Sequence, residues 1–133
     1  MGKPFKGELE KLAGTIKWAE QQDVTRLVRF LFAENKQIPL VCIGSGGSLS
    51  ACHYAVLLNL QRNGMLAQAM TPLQLMYSGR EVLRSSKLLF LSASGKNKDI
   101  LNAIKYGVKY NETGMMSLTL RKNNPTEKLL EQY

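Results

Sequence analysis

No apolar run in this chain is long enough to cross a bilayer. No charged-then-apolar leader opens it either, which points away from secretion. Histidine is almost missing, with His53 alone, and cysteine is confined to Cys42 and Cys52. Both cysteines sit in apolar surroundings and read as buried thiols rather than a disulfide or a metal pair. No cluster of residues has metal-ligand spacing. A cytoplasmic protein with no metal and no cofactor is the expectation.

Dense basic blocks are lacking too. The chain carries 18 Lys and Arg against 10 Asp and Glu, for a formal charge of +8, but the cations are spread along its length. No aromatics are interleaved with them, so the pattern argues against a nucleic acid partner and for solvated helix faces. Four cations are placed more suggestively: Lys96 and Lys98 in one turn, and Arg121 and Lys122 after a later strand. No low-complexity linker divides the 133 residues, and the hydrophobic fraction of 44% suits one folded domain.

What is present is an alternation of strand and helix patterns. Residues 6–34 have helical spacing, with Leu9, Leu12, Ala13 and Ile16 followed by Val24, Leu27, Val28 and Leu31. Asp23 can cap a second piece, so a break near Gln22 is expected. Ile38 to Ile43 reads as a central strand buried on both faces. Residues 48–63 read as a helix capped by Ser48 and stopped by Gly64. Met65 to Met70 reads as a second strand. A short helix then starts at Pro72 and ends at Gly79. Lys87 to Leu91 reads as the third strand. The helix over 97–111 carries Ile100, Ala103, Ile104, Gly107 and Val108 on one face. Met115 to Leu120 reads as the fourth strand, and Pro125 opens a last helix. Helices between successive strands predict a parallel sheet covered on both faces.

Two turns end strands and open helices in this scheme. The first is Gly44-Ser45-Gly46-Gly47-Ser48, and the second is Ser92-Ala93-Ser94-Gly95-Lys96-Asn97. Both fall at the carboxyl ends of strands, where open α/β sheets bind ligands. Backbone N–H groups, hydroxyls and the helix dipole all favour an anion there. The first turn lacks the spacing and Lys of a phosphate-binding Walker loop, and the third glycine of a dinucleotide fingerprint. The serines also lack the His and acid order of a hydrolase elbow. Glycines and N-cap residues are equally what a tight strand-to-helix turn requires, so a purely structural role stays open.

These residues resemble the sugar isomerase (SIS) domain family. Ile43-Gly44-Ser45-Gly46-Gly47-Ser48 is similar to its first phosphosugar loop. Leu91 to Asp99 is similar to its second, usually written S-x-S-G-x-T-x-D. Thr71-Pro72 starts a helix between them, as in the family order. The resemblance covers residues 38–133 and leaves 1–37 as an N-terminal helical segment packing on that domain. It implies a flavodoxin-like, doubly wound parallel sheet in three α/β/α layers, here lacking the family's last strand and helix. A fragment of a longer protein and a strand supplied by another subunit are the two alternatives.

The resemblance also implies roles. Ser45, Gly46, Gly47 and Ser48 would hold a sugar or its phosphate. Ser92, Ala93, Ser94 and Gly95 would hold the phosphate from the other side, with Asn97 where the family has Thr or Ser. Lys96 and Lys98 would add charge. A phosphosugar-binding domain, regulatory or part of a larger assembly, is the expected function. The alternatives are an aldose–ketose isomerase completed by a partner, and an interaction domain with a basic edge. No catalytic residue is assigned: Gln74 stands near the position where relatives carry Glu, Glu81 lies close by in sequence, and His53 falls within a helix. Family precedent suggests a homodimer, with the 6–34 helix (Trp18, Phe30, Phe32) and the His53 helix as the interface.

Overall fold

Four short runs form the strands β1 (Leu40–Ile43), β2 (Ala67–Met70), β3 (Lys87–Ser92) and β4 (Met115–Thr119), with β1 and β3 the most apolar and most buried. All pair in parallel, in the order β2-β1-β3-β4. The computed structural model describes residues 5–32 and 37–132. Helix α3 (Gly47–Asn63) joins β1 to β2. Helices α4 (Pro72–Tyr77) and α5 (Arg80–Ser85) join β2 to β3, and α6 (Lys98–Tyr110) joins β3 to β4. Helices α1 (Phe5–Glu20) and α2 (Thr25–Phe32) precede the sheet, and α7 (Pro125–Glu131) follows it.

Successive strand residues point to opposite faces, so a strand buried on both faces reads as an unbroken apolar run. Strands β1 and β3 do this. Val41, Ile43, Leu88 and Phe90 join one core with Leu75, Leu83, Ile100, Ala103 and Ile104. Leu40, Cys42 and Leu89 join the other with Cys52, against Leu27, Phe30, Leu31 and Val56. The result is the three-layer α/β/α arrangement the sequence predicts. Each fully buried large side chain contributes about 1.5–3 kcal/mol relative to exposure, so Phe90 between β1 and β4 is one of the main anchors. Strand β4 is less buried and, with β2, forms an edge of the sheet. A fifth strand is not among the described residues.

Several boundaries differ from the sequence reading, each for a local reason. The 6–34 pattern divides into α1 and α2, with Asp23 Oδ1 accepting from the Thr25 N–H at 2.9 Å; residues 33 and 34 lie outside the described residues. The Thr25 hydroxyl, together with that N–H, holds the Asp23 carboxyl below its ordinary range. A helix over Arg80–Ser85 went unread because its six residues are too few to show a period. The cap of α3 is Gly46, not Ser48: the backbone turns into the helix two residues earlier, at φ 54°, with no side-chain cap. Val108 stays exposed at the margin of the α6 stripe, whereas Ile100, Ala103, Ile104 and Gly107 are buried.

Of the N-terminal segment, α2 packs on the sheet and α1 buries no residue. Lys87, buried at the start of β3, donates to the Phe30 carbonyl at 2.7 Å near the end of α2. A cation there also complements the negative end of the helix dipole. Trp18 and Phe32 are exposed as expected, but Phe30 is half-buried against the second core.

Candidate functional site between two serine loops

Strands β1 and β3 are neighbours in register, with Ile43 opposite Phe90. The chain leaves β1 toward β2 on one side, while β3 leads to β4 on the other. This reversal makes the gap beyond their carboxyl ends the topological switch point. Both serine turns open into it.

A cavity of about 210 Å³ lies there, lined by Ser45, Ser48, Leu91, Ser92, Ala93, Ser94, Asn97 and Ile100. Six of these were anticipated from sequence. Leu91 and Ile100 were not; both belong to packed elements, and alternation or helical period alone assigns such residues to the core. Gly46, Gly47, Gly95, Lys96 and Lys98 belong to the two turns without lining the cavity.

The first turn is made by close approach. A Cβ on Gly44 would stand 2.9 Å from both the Cys52 sulfur and the Ser48 carbonyl, so only glycine lets β1 pass this near α3. The turn leaves Ser45 Oγ buried with no hydrogen-bond partner. An unpaired buried hydroxyl costs about 1–3 kcal/mol, so it is the one atom of the site whose chemistry the protein itself leaves unanswered. The α3 N-terminus beside it has no side-chain cap; the Ser48 and Leu49 N–H groups turn back onto the Ser45 and Gly46 carbonyls, at 3.1 and 3.0 Å.

The second turn is satisfied internally. Ser92 Oγ accepts from the Gly95 N–H at 3.1 Å, and Ser94 Oγ accepts from the Lys96 N–H at 3.1 Å. Asn97 caps α6, its Oδ1 accepting from Asp99 N–H at 2.9 Å and Ile100 N–H at 3.0 Å. Each serine oxygen thus accepts a hydrogen bond from the backbone and keeps its own O–H to donate. Hydrogen bonds in such chains polarise one another, which strengthens the outward donor. The Gly95 amide would act on a ligand only through Ser92.

Cys42, on β1, and Cys52, on α3, are free and buried. Burial pushes the Cys42 thiol up to about 12, with the neighbouring Cys52 adding to the effect, and pushes Cys52 up to about 11. Both are neutral packing groups at ordinary pH. No group of His, Cys, Asp and Glu among the described residues could hold a metal ion, and no described helix is long and apolar enough to cross a membrane.

The other candidates for chemistry lie elsewhere. Gln74 Oε1 accepts from the Thr71 N–H at 2.8 Å in the capping box of α4. Glu81 is exposed on α5 beside Arg84, at 3.8 Å. His53 is exposed on α3. None of the three lines the cavity. A larger cavity of about 320 Å³ opens at the opposite end of the sheet, near Arg62, Asn63 and Lys87. It is at the amino ends of β1 and β3, away from both serine turns, and parallel sheets seldom bind ligands there.

No protein-family model and no curated protein matches the sequence. Solved structures do match in three dimensions. A candidate phosphosugar isomerase from Silicibacter pomeroyi superposes with a TM-score of 0.73 at 20% identity, over 92% of this chain and 38% of that one. The Vibrio vulnificus NanR protein, complexed with ManNAc-6P, gives 0.69 at 23% identity, over 91% and 44%. The tagatose-6-phosphate ketose/aldose isomerase of Escherichia coli gives 0.66 at 14% identity, over 82% and 31%. The chain thus spans less than half the length of each of these three proteins. At these identities the likeness is one of architecture, and it agrees with the parallel four-stranded sheet flanked by helices: the chain has the SIS-type α/β fold found in phosphosugar isomerases.

Proposed function

We propose that this chain binds a sugar phosphate in the cavity between its two serine turns, as a regulatory module or as one part of a larger assembly. The observation that carries the reading is the buried, unpartnered Ser45 hydroxyl in a cavity that three further serines line. Ser45, Ser48 and the amides of Gly46 and Gly47 hold one side of the ligand. The hydroxyls of Ser92 and Ser94 donate to the phosphate from the other. Asn97 fixes the second turn by capping α6. The ligands and substrates named for NanR and for the tagatose-6-phosphate isomerase support a phosphorylated sugar as the ligand class.

Binding without complete catalysis fits the lining. Moving a proton between sugar carbons needs a positioned base, and none of the cavity-lining residues has a carboxylate, imidazole or amine. An isomerase reading requires those groups from a partner subunit or domain. A cytoplasmic setting suits the two free thiols.

We also propose that the chain forms a homodimer through α1 and α3. Phe5, Leu9, Leu12 and Ile16 on α1 are all at least half exposed, and Tyr54, Leu57 and Leu58 form an apolar face on α3. Light scattering should give twice the monomer mass, reduced to the monomer in Leu12→Glu/Ile16→Glu.

A thermal-shift screen tests the ligand reading, using sugar phosphates with free sugars and inorganic phosphate as controls. A ligand at 100 times its dissociation constant stabilises the fold by about 2.7 kcal/mol. A selective rise with sugar phosphates, lost in Ser94→Ala, supports the site. A folded sample that shifts with none of them removes it. Binding of any polyanion, with steep salt dependence, would instead favour an interaction domain.

A further inference from the structure

We propose that the ligand of this site carries a second anionic group, remote from the enclosed phosphate, and that Lys96, Lys98, Arg121 and Lys122 receive it. The proposal rests on the sugar-phosphate reading and adds to it the class of sugar phosphate: doubly anionic rather than singly.

Size is the first argument. The cavity, at about 210 Å³, falls below the roughly 300–1,000 Å³ of sites that enclose a whole drug-sized ligand. It can surround one end of a phosphorylated sugar and must leave the other end at the mouth.

Charge is the second. The lining is neutral throughout, offering hydroxyls, one carboxamide and apolar groups. The cations are segregated to the turns around it. Lys96 and Lys98 flank Asn97, which lines the wall. Arg121 and Lys122 follow Leu120, whose N–H donates to the carbonyl of Ala93, another lining residue, at 3.1 Å. All four are exposed, and none has an ion pair among the described residues.

The acids on the same segments are Asp99 and Glu127, and both have local work. Glu127 Oε2 accepts from the Asn123 N–H at 2.7 Å. Asp99 stands in the first turn of α6, where the helix dipole favours a carboxylate. Four cations against these two acids leave the rim positive. Like charges held together repel, and an anion at the mouth relieves that repulsion.

The two cationic segments are also fixed to each other. Thr126 N–H donates to the Gly95 carbonyl at 3.3 Å. Asn124 Nδ2 donates to the Arg121 carbonyl at 2.6 Å and to Thr119 Oγ1 at 2.9 Å. The backbone under Arg121 is thereby tied to the backbone under Lys96, so the rim is a defined edge of the site.

Isothermal titration of the full chain tests this. The probes are fructose 6-phosphate and glucose 6-phosphate, their 1,6-bisphosphates, 6-phosphogluconate and pyrophosphate, each at low and high salt. Several exposed charge interactions acting together should make a bisphosphate bind at least about tenfold more tightly than its monophosphate at low salt, with the gap narrowing at high salt. Replacing Lys96, Lys98, Arg121 and Lys122 by Gln should abolish the gap, read as the ratio of bisphosphate to monophosphate affinity within the variant. Lys17→Gln, on α1, should preserve the gap. Circular dichroism checks that the fourfold variant is folded, and the wild-type salt dependence is read independently of it.

A gain with 6-phosphogluconate equal to that with the bisphosphates identifies the second group as any anion; a gain with bisphosphates alone identifies it as phosphate. Equal affinity for mono- and bisphosphates overturns this proposal and leaves the sugar-phosphate reading standing. Pyrophosphate binding as tightly as the bisphosphates also overturns it, because the rim would then act without the sugar. No binding of any sugar phosphate to the folded chain overturns both.

Discussion

The carboxamide of Asn124 lies directly against the Cα of Gly95, in the space a side chain at 95 would fill. Both residues are buried, and Gly95 has φ 64°, in the left-handed region. Asn124 caps α7 by accepting from the Glu127 N–H at 3.1 Å, and its Oδ1 also accepts from Thr126 Oγ1. The second serine turn is therefore braced from behind by the start of the last helix.

Gly95→Ala should be among the most destabilising single changes in the chain. It adds a clash with Asn124 to a backbone conformation that costs a non-glycine residue about 1–3 kcal/mol. Urea denaturation of the variant checks this. Asn124→Ala in the same chain should relieve only part of the clash, because the Cβ of residue 124 would remain 2.8 Å from the added methyl, and the two changes should be non-additive.

Ser45→Ala should move stability and binding in opposite directions. Removing a buried hydroxyl that has no partner relieves a desolvation cost of about 1–3 kcal/mol, so the free protein should be as stable or more stable. Sugar-phosphate affinity should fall by roughly tenfold, the value of one hydrogen bond to a charged group. A fall in both quantities would assign Ser45 to the structure rather than to the ligand.

Asn97→Ala should cost about 1 kcal/mol by uncapping α6, whereas Asn97→Asp or Asn97→Ser should retain most of that stability. Chemical denaturation midpoints separate the three. Because the cap also orders the wall of the cavity, the Ala variant should bind sugar phosphate more weakly than the other two.

Alkaline pH should unfold the chain through Cys42 and Cys52. Both thiols titrate higher in the folded protein, at about 12 and about 11, than their ordinary value of 9.0. The stability this represents is fully present below pH 9 and is lost as the pH rises from there through the folded values, because the unfolded chain releases its thiol protons first. Each thiol contributes a slope of up to about 1.4 kcal/mol per pH unit in that window. Stability of Cys42→Ala and Cys52→Ala, measured from pH 8 to 11, should show a shallower decline than the wild type. Below pH 9, thiol-reactive reagents should label neither cysteine in the folded chain.

Much of the architecture was legible from the sequence because its cause is local. The apolar runs at 38–43 and 87–91 read as strands, the first buried on both faces, and they form as Leu40–Ile43 and Lys87–Ser92; helices between strands predict parallel pairing, which the sheet shows. The start of α6 was legible in Asn97, and the stop of α3 in Gly64, which adopts φ 62°. The six-residue α5 offered too short a pattern to read, and Ser48 was mistaken for a cap because the φ of Gly46 is a property of the folded turn.

Glycine placement and apolar periodicity are written along the chain, and they already show that two serine turns end strands and begin helices. What those turns do to each other follows from the folded sheet. The pairing of β1 with β3 brings segments about fifty positions apart in the chain to one cavity. It leaves Ser45 without a partner while Asn97 closes the facing helix. It also sets Asn124 behind Gly95. These relationships depend on distances across the sheet, and distances of that kind have no local signature in the sequence.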